Sequence, residues 1–174
     1  MDTAGKTRVM TPDDRLAEYL KSLHVVMPPA PEPKGLYRPV VAVGGLLFTS
    51  GHLPIDEQGR LIAGTVGGDL SEEQGRRAAL LAGLGMLASV RAALGGLARV
   101  RRVVKLTGLV QSTPEFTGQP RIINACSELL AAVFGEEWGV GARIASGTNA
   151  LPLEAAVEVE AIFELRETAN GDGR

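Results

Sequence analysis

Residues 142–165 read ARIASGTNALPLEAAVEVEAIFEL. The second half of this stretch decides the fold, because its side chains alternate. Val157, Val159 and Ala161 fall on one side of an extended chain, and Glu158 and Glu160 fall on the other. A short strand starts at Ala142, and a final strand covers 155–165. Between them Asn149 suits a turn, and Pro152 stands just ahead of the strand, where its missing N–H does no harm. Two carboxylates on one face of a central strand are unusual, since charge is rarely buried unpaired. An edge strand or a solvated face accounts for them equally well.

Working outward, the rest of the chain alternates helical and extended patterns. Thr11 can cap a helix that has Pro12 at its first position and Asp13 and Asp14 in its first turn. Leu16, Tyr19, Leu20 and Leu23 then recur at helical spacing, up to the extended Pro-rich connector at 28–33. Val40–Val43 and Leu46–Thr49 flank Gly44-Gly45, which is a two-residue hairpin signal. A short strand is expected at 61–65. Ser71-Glu72-Glu73-Gln74 forms a capping box. It opens a helix with Leu80, Leu81, Leu84, Leu87, Val90 and Leu94 on one stripe, closed by Gly95-Gly96. Gly75, Gly83 and Gly85 inside that helix suggest close packing against a sheet. Residues 103–110 read as a buried strand. Residues 120–134 read as a helix with Ile122, Ile123, Cys126, Leu129, Leu130 and Val133 inward. Gly135, Gly139 and Gly141 mark a loop. The order is helix, hairpin, helix, strand, helix, strand, strand: one α+β domain, with no internal repeat.

Bulk composition narrows the function. The 174 residues fit one domain, and 45% hydrophobic content is enough for a core. A net charge of −2 lacks the basic excess of a dedicated nucleic-acid binder. The single cysteine, Cys126, excludes an intramolecular disulfide and fits a reducing compartment. With only His24 and His52 besides, a structural zinc has too few ligands. No apolar run is read as approaching the ~20 residues of a membrane span. The first ten residues lack an apolar signal core and are expected to be disordered. A cytoplasmic protein without metal or cofactor is therefore expected.

Few side chains stand out as chemical. Arg143 follows the glycine-rich loop, and its guanidinium offers a rigid fork for a carboxylate or phosphate. A surface salt bridge is the plain alternative. Tyr37, beside the Pro-rich connector, joins a flat ring to a polar tip. His52 lies two residues from Ser50, but no acid partner completes a catalytic triad. Cys126 faces inward and reads as a small hydrophobe. Arg99, Arg101, Arg102 and Lys105 form a basic run without interleaved aromatics, which reads as a solvated face rather than a stacking platform.

Ala142-Arg143-Ile144-Ala145, Leu151-Pro152 and Val157-Glu158-Val159-Glu160-Ala161-Ile162 together resemble the C-terminal signature of the Rid family, also called YjgF or L-PSP proteins. Leu47-Phe48-Thr49-Ser50-Gly51-His52-Leu53-Pro54 is similar to that family's second strand and turn, with His52 where glutamine is more usual. Asn124-Ala125 falls in the matching helix. The resemblance covers about residues 37–165. It sets off an N-terminal extension, 1–36, and a tail, 166–174, expected to be disordered. It implies a chorismate-mutase-like α+β subunit, with a mixed sheet and two helices on one face, assembled as a trimeric barrel with pockets between subunits.

In deaminating members, the resemblance implies, water attacks the C=N carbon of a 2-imino or enamino acid, giving ammonia and a 2-oxo acid. By position, Arg143 would anchor the carboxylate and Glu158 would orient or activate the water. Tyr37 of a neighbour would cover the ligand, and Gly51 and Asn124 would shape the pocket. On this reading residues 142–165 form one half of the site. Ala145 stands where those deaminases commonly carry cysteine, leaving only a backbone carbonyl to bind water. A trimer that binds or responds to a small carboxylate without turnover is the alternative. Endoribonuclease activity, ascribed to some members, is a third reading.

Overall fold

A strand whose alternate residues are all apolar needs a covering layer on one side only, and the last strand obtains it from two helices. The computed structural model describes residues 9–167. Its elements are α1 (Pro12–Leu23), β1 (Val40–Val43), β2 (Leu46–Thr49), α2 (Glu72–Leu94), β3 (Val100–Gln111), α3 (Gln119–Phe134), a one-turn α4 (Glu136–Gly139), β4 (Ala142–Thr148), a 3-10 turn at Pro152–Glu154, and β5 (Val157–Leu165). The five strands form one mixed sheet in the order β1-β2-β5-β3-β4. Only β3 and β4 run parallel, and α3 supplies the crossover that a parallel pair requires. Strand β5 lies in the middle, antiparallel to β2 on one side and to β3 on the other. Val157, Val159, Ala161 and Phe163 are buried, while Glu158 is half-buried and Glu160 exposed.

Helices α2 and α3 cover one face of the sheet and pack on each other, and α1 lies against α3. Thr11 and Asp14 close a capping box at the start of α1. Asp13 fixes that end to the rest of the molecule, pairing with Arg91 Nε at 2.9 Å and accepting from the Leu97 amide at 2.8 Å. Leu16 and Leu20 then join the common core. Each fully buried Leu contributes about 1.5–3 kcal/mol of apolar transfer free energy.

Several expectations need correction. Gly75 and Gly83 of α2 serve the helix pair rather than the sheet: a Cβ at Gly83 would come 2.8 Å from Cys126 Sγ, and one at Gly75 would come 2.8 Å from Ile122 Cδ1, both on α3, whereas one at Gly85 would meet only Leu53 O at 4.0 Å. The 61–65 strand is replaced by isolated bridges, Ile55 with Leu61 and Ala63 with Ala155, because Gly64 turns the chain at φ 131°. The loop expected at Gly135–Gly141 contains α4. Strand β3 starts three residues earlier than its apolar run, since Val100 still pairs with Leu165. A helix of near-membrane length is present after all: α2 has 23 residues and is apolar enough to span, but 67% of its apolar window is buried against the sheet and α3. The disorder expected for 1–10 and 166–174 falls outside the described residues except at Val9, Met10, Arg166 and Glu167, and the Arg166 amide donates to Arg99 O at 2.8 Å.

Gly83→Ala should test the helix contact. Helix propensity alone favours alanine by about 1 kcal/mol, but the added methyl meets Cys126. Urea denaturation is expected to show a net loss of about 1–2 kcal/mol in the wild-type background. The loss should shrink or reverse in a Cys126→Ala background; an unchanged penalty there would remove the contact as its cause.

Candidate functional site

The segment between β2 and the loop at Pro54 makes the first half of the site. After Phe48 pairs with Ile162, the chain reaches its next bridge at His52 with Val159, so four steps on one strand face three on the other. This bulge is of the kind that re-aims chains beside functional sites. Thr49 Oγ1 fills the gap in the ladder by accepting from the Ala161 amide at 2.9 Å. Gly51 then lies directly under the Glu158 side chain. A Cβ there would stand 2.7 Å from the carboxyl carbon and would strike Oε1, so only glycine leaves room for Glu158.

Glu158 looks into a cavity of about 550 Å3 that also contains Tyr37, Gly51, Leu53, Ile55 and Leu153. Burial, and next the Glu160 carboxylate, hold its carboxyl above the usual carboxylate range. Among the described residues it has no hydrogen-bond or ion-pair partner. Pro31, Glu32 and Lys34 of the connector form another wall. His52 sits at the floor with both ring nitrogens engaged. Its Nδ1 lies 2.8 Å from Ser50 O, a group that can only accept, so Nδ1 carries the proton. Its Nε2, 2.8 Å away, therefore accepts from the Ser89 hydroxyl of α2. Burial outweighs the Ser50 bond and pushes the His52 pKa below its ordinary value. His52 is thus a neutral pin between the bulge and α2.

The second half lies elsewhere in the same chain. Arg143 on β4 pairs through Leu106 with Ala161, whereas Glu158 pairs with Leu109. Since Ala161 and Glu158 are three residues apart, Arg143 and Glu158 stand on opposite faces of the sheet. Arg143 faces α3, where Asn124 Oδ1 accepts from its Nη1 at 2.7 Å and Ser127 Oγ accepts from the same nitrogen at 3.1 Å. Among the described residues it has no carboxylate partner. Nε and Nη2 are thereby left for an incoming anion. A cavity of about 260 Å3 adjoins this group, bounded by Val103, Gly139, Val140 and Gly141. Ala145, two residues on along β4, packs partly into the core. Cys126 is fully buried, and burial pushes its thiol up to about 12, with Arg143 opposing.

The residues named from sequence therefore separate into two groups: Tyr37, Gly51 and Glu158 share one cavity, while Asn124 and Arg143 share another. The expectation that Arg143 and Glu158 form one half of a site, with Tyr37 on the other, does not match this division. Periodicity within each strand was readable, but the register between strands was not. Sequence reasoning missed the connector wall, Leu153 and Ser127. Only Ser127 carried a signal, since it lies three residues after Asn124 on one helix face. The basic run is a solvated face: Arg101 and Arg102 lie over the Trp138 ring at 5.7 and 4.7 Å and pair with Glu164.

Residues 20–165 match the family model described as YjgF/chorismate mutase-like, putative endoribonuclease. The chain belongs to this family, the Rid proteins. It is 42% identical to Protein TCP17 of Trypanosoma cruzi over 151 residues, 87% of this chain and 94% of that protein. Among solved structures it is similar to Atu1372 of Agrobacterium tumefaciens, a protein of unknown function, at 41% identity and a TM-score of 0.81, covering 89% of this chain and 96% of the other. A protein of Shewanella oneidensis carrying the same endoribonuclease description matches at 30% identity and a TM-score of 0.82, over 90% and 100% of the two chains. Membership of the Rid family supports a small-molecule role, imine- or enamine-related or regulatory.

Two variants check the electrostatics. A carboxyl whose folded pKa is raised destabilises the fold as pH climbs through that value. Glu158→Gln is thus expected to raise the thermal midpoint at pH 8, by an amount that vanishes toward pH 4; no gain at pH 8 would contradict the burial of this charge. His52 works in the opposite sense. With its folded pKa depressed, wild-type stability is lost as pH falls below about 6.5. Urea midpoints at pH 7.5 and 5.5 should differ less in His52→Gln than in wild type.

Proposed function

We propose that this protein hydrolyses 2-imino or enamino acids to 2-oxo acids and ammonia, in sites completed where two copies of the chain meet. The observation that carries this reading is the Arg143 guanidinium, oriented by Asn124 and Ser127 yet unmatched by any carboxylate among the described residues. Such a group is prepared for a bidentate anion. Glu158, whose burial holds its carboxyl above the usual carboxylate range, is suited to exchange a proton with a bound water. Because the two groups lie on opposite sheet faces, one ligand reaches both only if Arg143 of one subunit approaches Glu158, Gly51 and Tyr37 of the next. A homotrimer closed in a ring supplies that approach three times. The uncovered sheet face supports assembly, since Val41, Val43, Phe48 and Ile144 are all exposed on it or along its edge.

In the proposed reaction the substrate carboxylate lies on Arg143, which fixes the C=N carbon against the Glu158 side. Glu158 takes a proton from water as the water oxygen bonds to the carbon of the protonated imine, and the C=N electron pair passes to nitrogen, leaving a neutral amino alcohol. Glu158 then returns its proton to the nitrogen of the tetrahedral amino alcohol. The C–N bond breaks and ammonia leaves as the hydroxyl proton passes through Glu158 to solvent and the carbon–oxygen bond becomes the carbonyl of the 2-oxo acid. Orientation supplies part of the rate and proton transfer typically ~10²–10⁴-fold. Ala145 argues for the alternative, a trimer that binds the same carboxylates without turnover.

Ammonia release from imino acids generated by an amino-acid oxidase tests the proposal. Wild type should accelerate it, with an acid limb set by Glu158, and Arg143→Ala should lower kcat/KM by about 10²-fold. Glu158→Gln should lower kcat by ~10²–10⁴-fold. Mixing the two inactive variants under exchange of subunits should restore activity, because some junctions then combine an intact Arg143 with an intact Glu158. No acceleration with any imino acid tried would reject turnover; binding of 2-oxo acids that needs Arg143 would then leave the non-catalytic reading.

A further inference from the structure

The cavity before Glu158 has walls of a definite chemistry. Leu53, Ile55 and Leu153 line it together with Pro31, Pro39 and Pro152. Two of its polar groups are already engaged: the Ser50 hydroxyl donates to Arg38 O at 2.7 Å, and both His52 nitrogens are used as described, which leaves Glu158 and the Tyr37 hydroxyl as its polar end. Lys34 and Glu32 are exposed on the connector and oppose each other in charge. Away from Glu158 and the Tyr37 hydroxyl the wall is apolar, so a hydroxylated or amide side chain laid against Leu53, Ile55 and Leu153 would lose its water without replacement.

Leu153 makes the same point through the backbone. It is held at φ 57°, ψ 26°, and Glu154 follows at φ 58°. The left-handed region costs a leucine about 1–2 kcal/mol. Such strain persists only where the surroundings over-determine it. Here the fully buried Gln111 does so, accepting from the Leu151 amide at 2.8 Å and donating from Nε2 to Glu154 Oε2 at 3.2 Å. The Gly64 amide adds a bond to Glu154 O at 2.9 Å. A leucine fixed in this conformation and still 66% exposed is not there to fill the core. It is aimed at the cavity.

We infer that this cavity is a side-chain chamber, and that the protein prefers 2-imino acids and 2-oxo acids bearing a bulky apolar side chain over those with small or hydroxylated ones. The connector and Leu153 are its specificity-determining walls. This rests on the reading in which the ligand carboxylate binds Arg143, so the experiment reads binding apart from turnover.

Calorimetry of the full chain with 4-methyl-2-oxopentanoate, pyruvate and 3-hydroxypyruvate provides the test. The branched acid carries three more carbons than pyruvate and is expected to bind roughly 10- to 50-fold more tightly. Leu153→Asn keeps a residue that tolerates the left-handed backbone, so the loop should fold, and should cut that preference to about threefold or less. Equal or tighter binding of pyruvate or hydroxypyruvate, no binding of any of the three, or a preference unmoved by Leu153→Asn would overturn the inference. Imine hydrolysis without side-chain preference would remove the chamber and keep the activity. The binding preference without hydrolysis would do the reverse.

Discussion

Strand β5 is hydrogen-bonded along both edges, to β3 on one side and to β2 and the His52 bridge on the other. A strand held in this way cannot slip by one residue without moving every apolar side chain to the wrong face. Phe163, Val159 and Val157 under the helices thereby force Glu158 outward, against Gly51. The bulge at 49–51 follows from the same constraint, because a strictly paired strand would carry the backbone straight past the position the Glu158 carboxylate occupies. Neutral His52, pinned to Ser89, ties the bulge to α2 and keeps that approach close.

The separation of Arg143 from Glu158 is an electrostatic condition as well as a geometric one. Side by side in one chain, a guanidinium and a carboxylate would pair, which lowers the carboxylate pKa and occupies the fork of donors. On opposite faces of the sheet, Arg143 keeps two nitrogens unused and Glu158 keeps its raised pKa. On the proposed reading they meet only across a subunit boundary, with the substrate between them. The ligand then takes the place that an ion pair would otherwise fill.

What the sequence displayed was whatever depends on one element at a time. The helix cap at Thr11, the capping box at Ser71, the Gly44-Gly45 hairpin with both glycines at positive φ, and the alternation along β5 all follow from local spacing. The order of elements was legible for the same reason. Relations between elements were not. No local pattern showed that Gly83 faces Cys126, or that Arg143 is level with Ala161 while Glu158 is level with Leu109. The 61–65 run looked like a strand because its composition is strand-like, but Gly64 and the bonds from 154–156 bind it as separate bridges. The Pro-rich connector was visible as an extended piece, yet its role as a wall depends on where α1 docks, which Asp13, Leu16 and Leu20 settle at long range.

The costs in this fold are not spread evenly. A carboxyl with a raised pKa, a histidine with a depressed one, a bulged strand and the left-handed Leu153 all border one cavity. The Arg143 group, by contrast, rests on an unbroken parallel pair and a regular helix. A rigid anchor and a strained chamber suit different tasks. Binding a carboxylate needs a fork in a fixed place, which regular structure provides without strain. Discriminating among side chains and holding a carboxyl away from its preferred charge state both run against local stability. On the proposed reading, their concentration beside Glu158 marks that cavity, rather than the arginine, as the place where this chain sets which ligand it accepts.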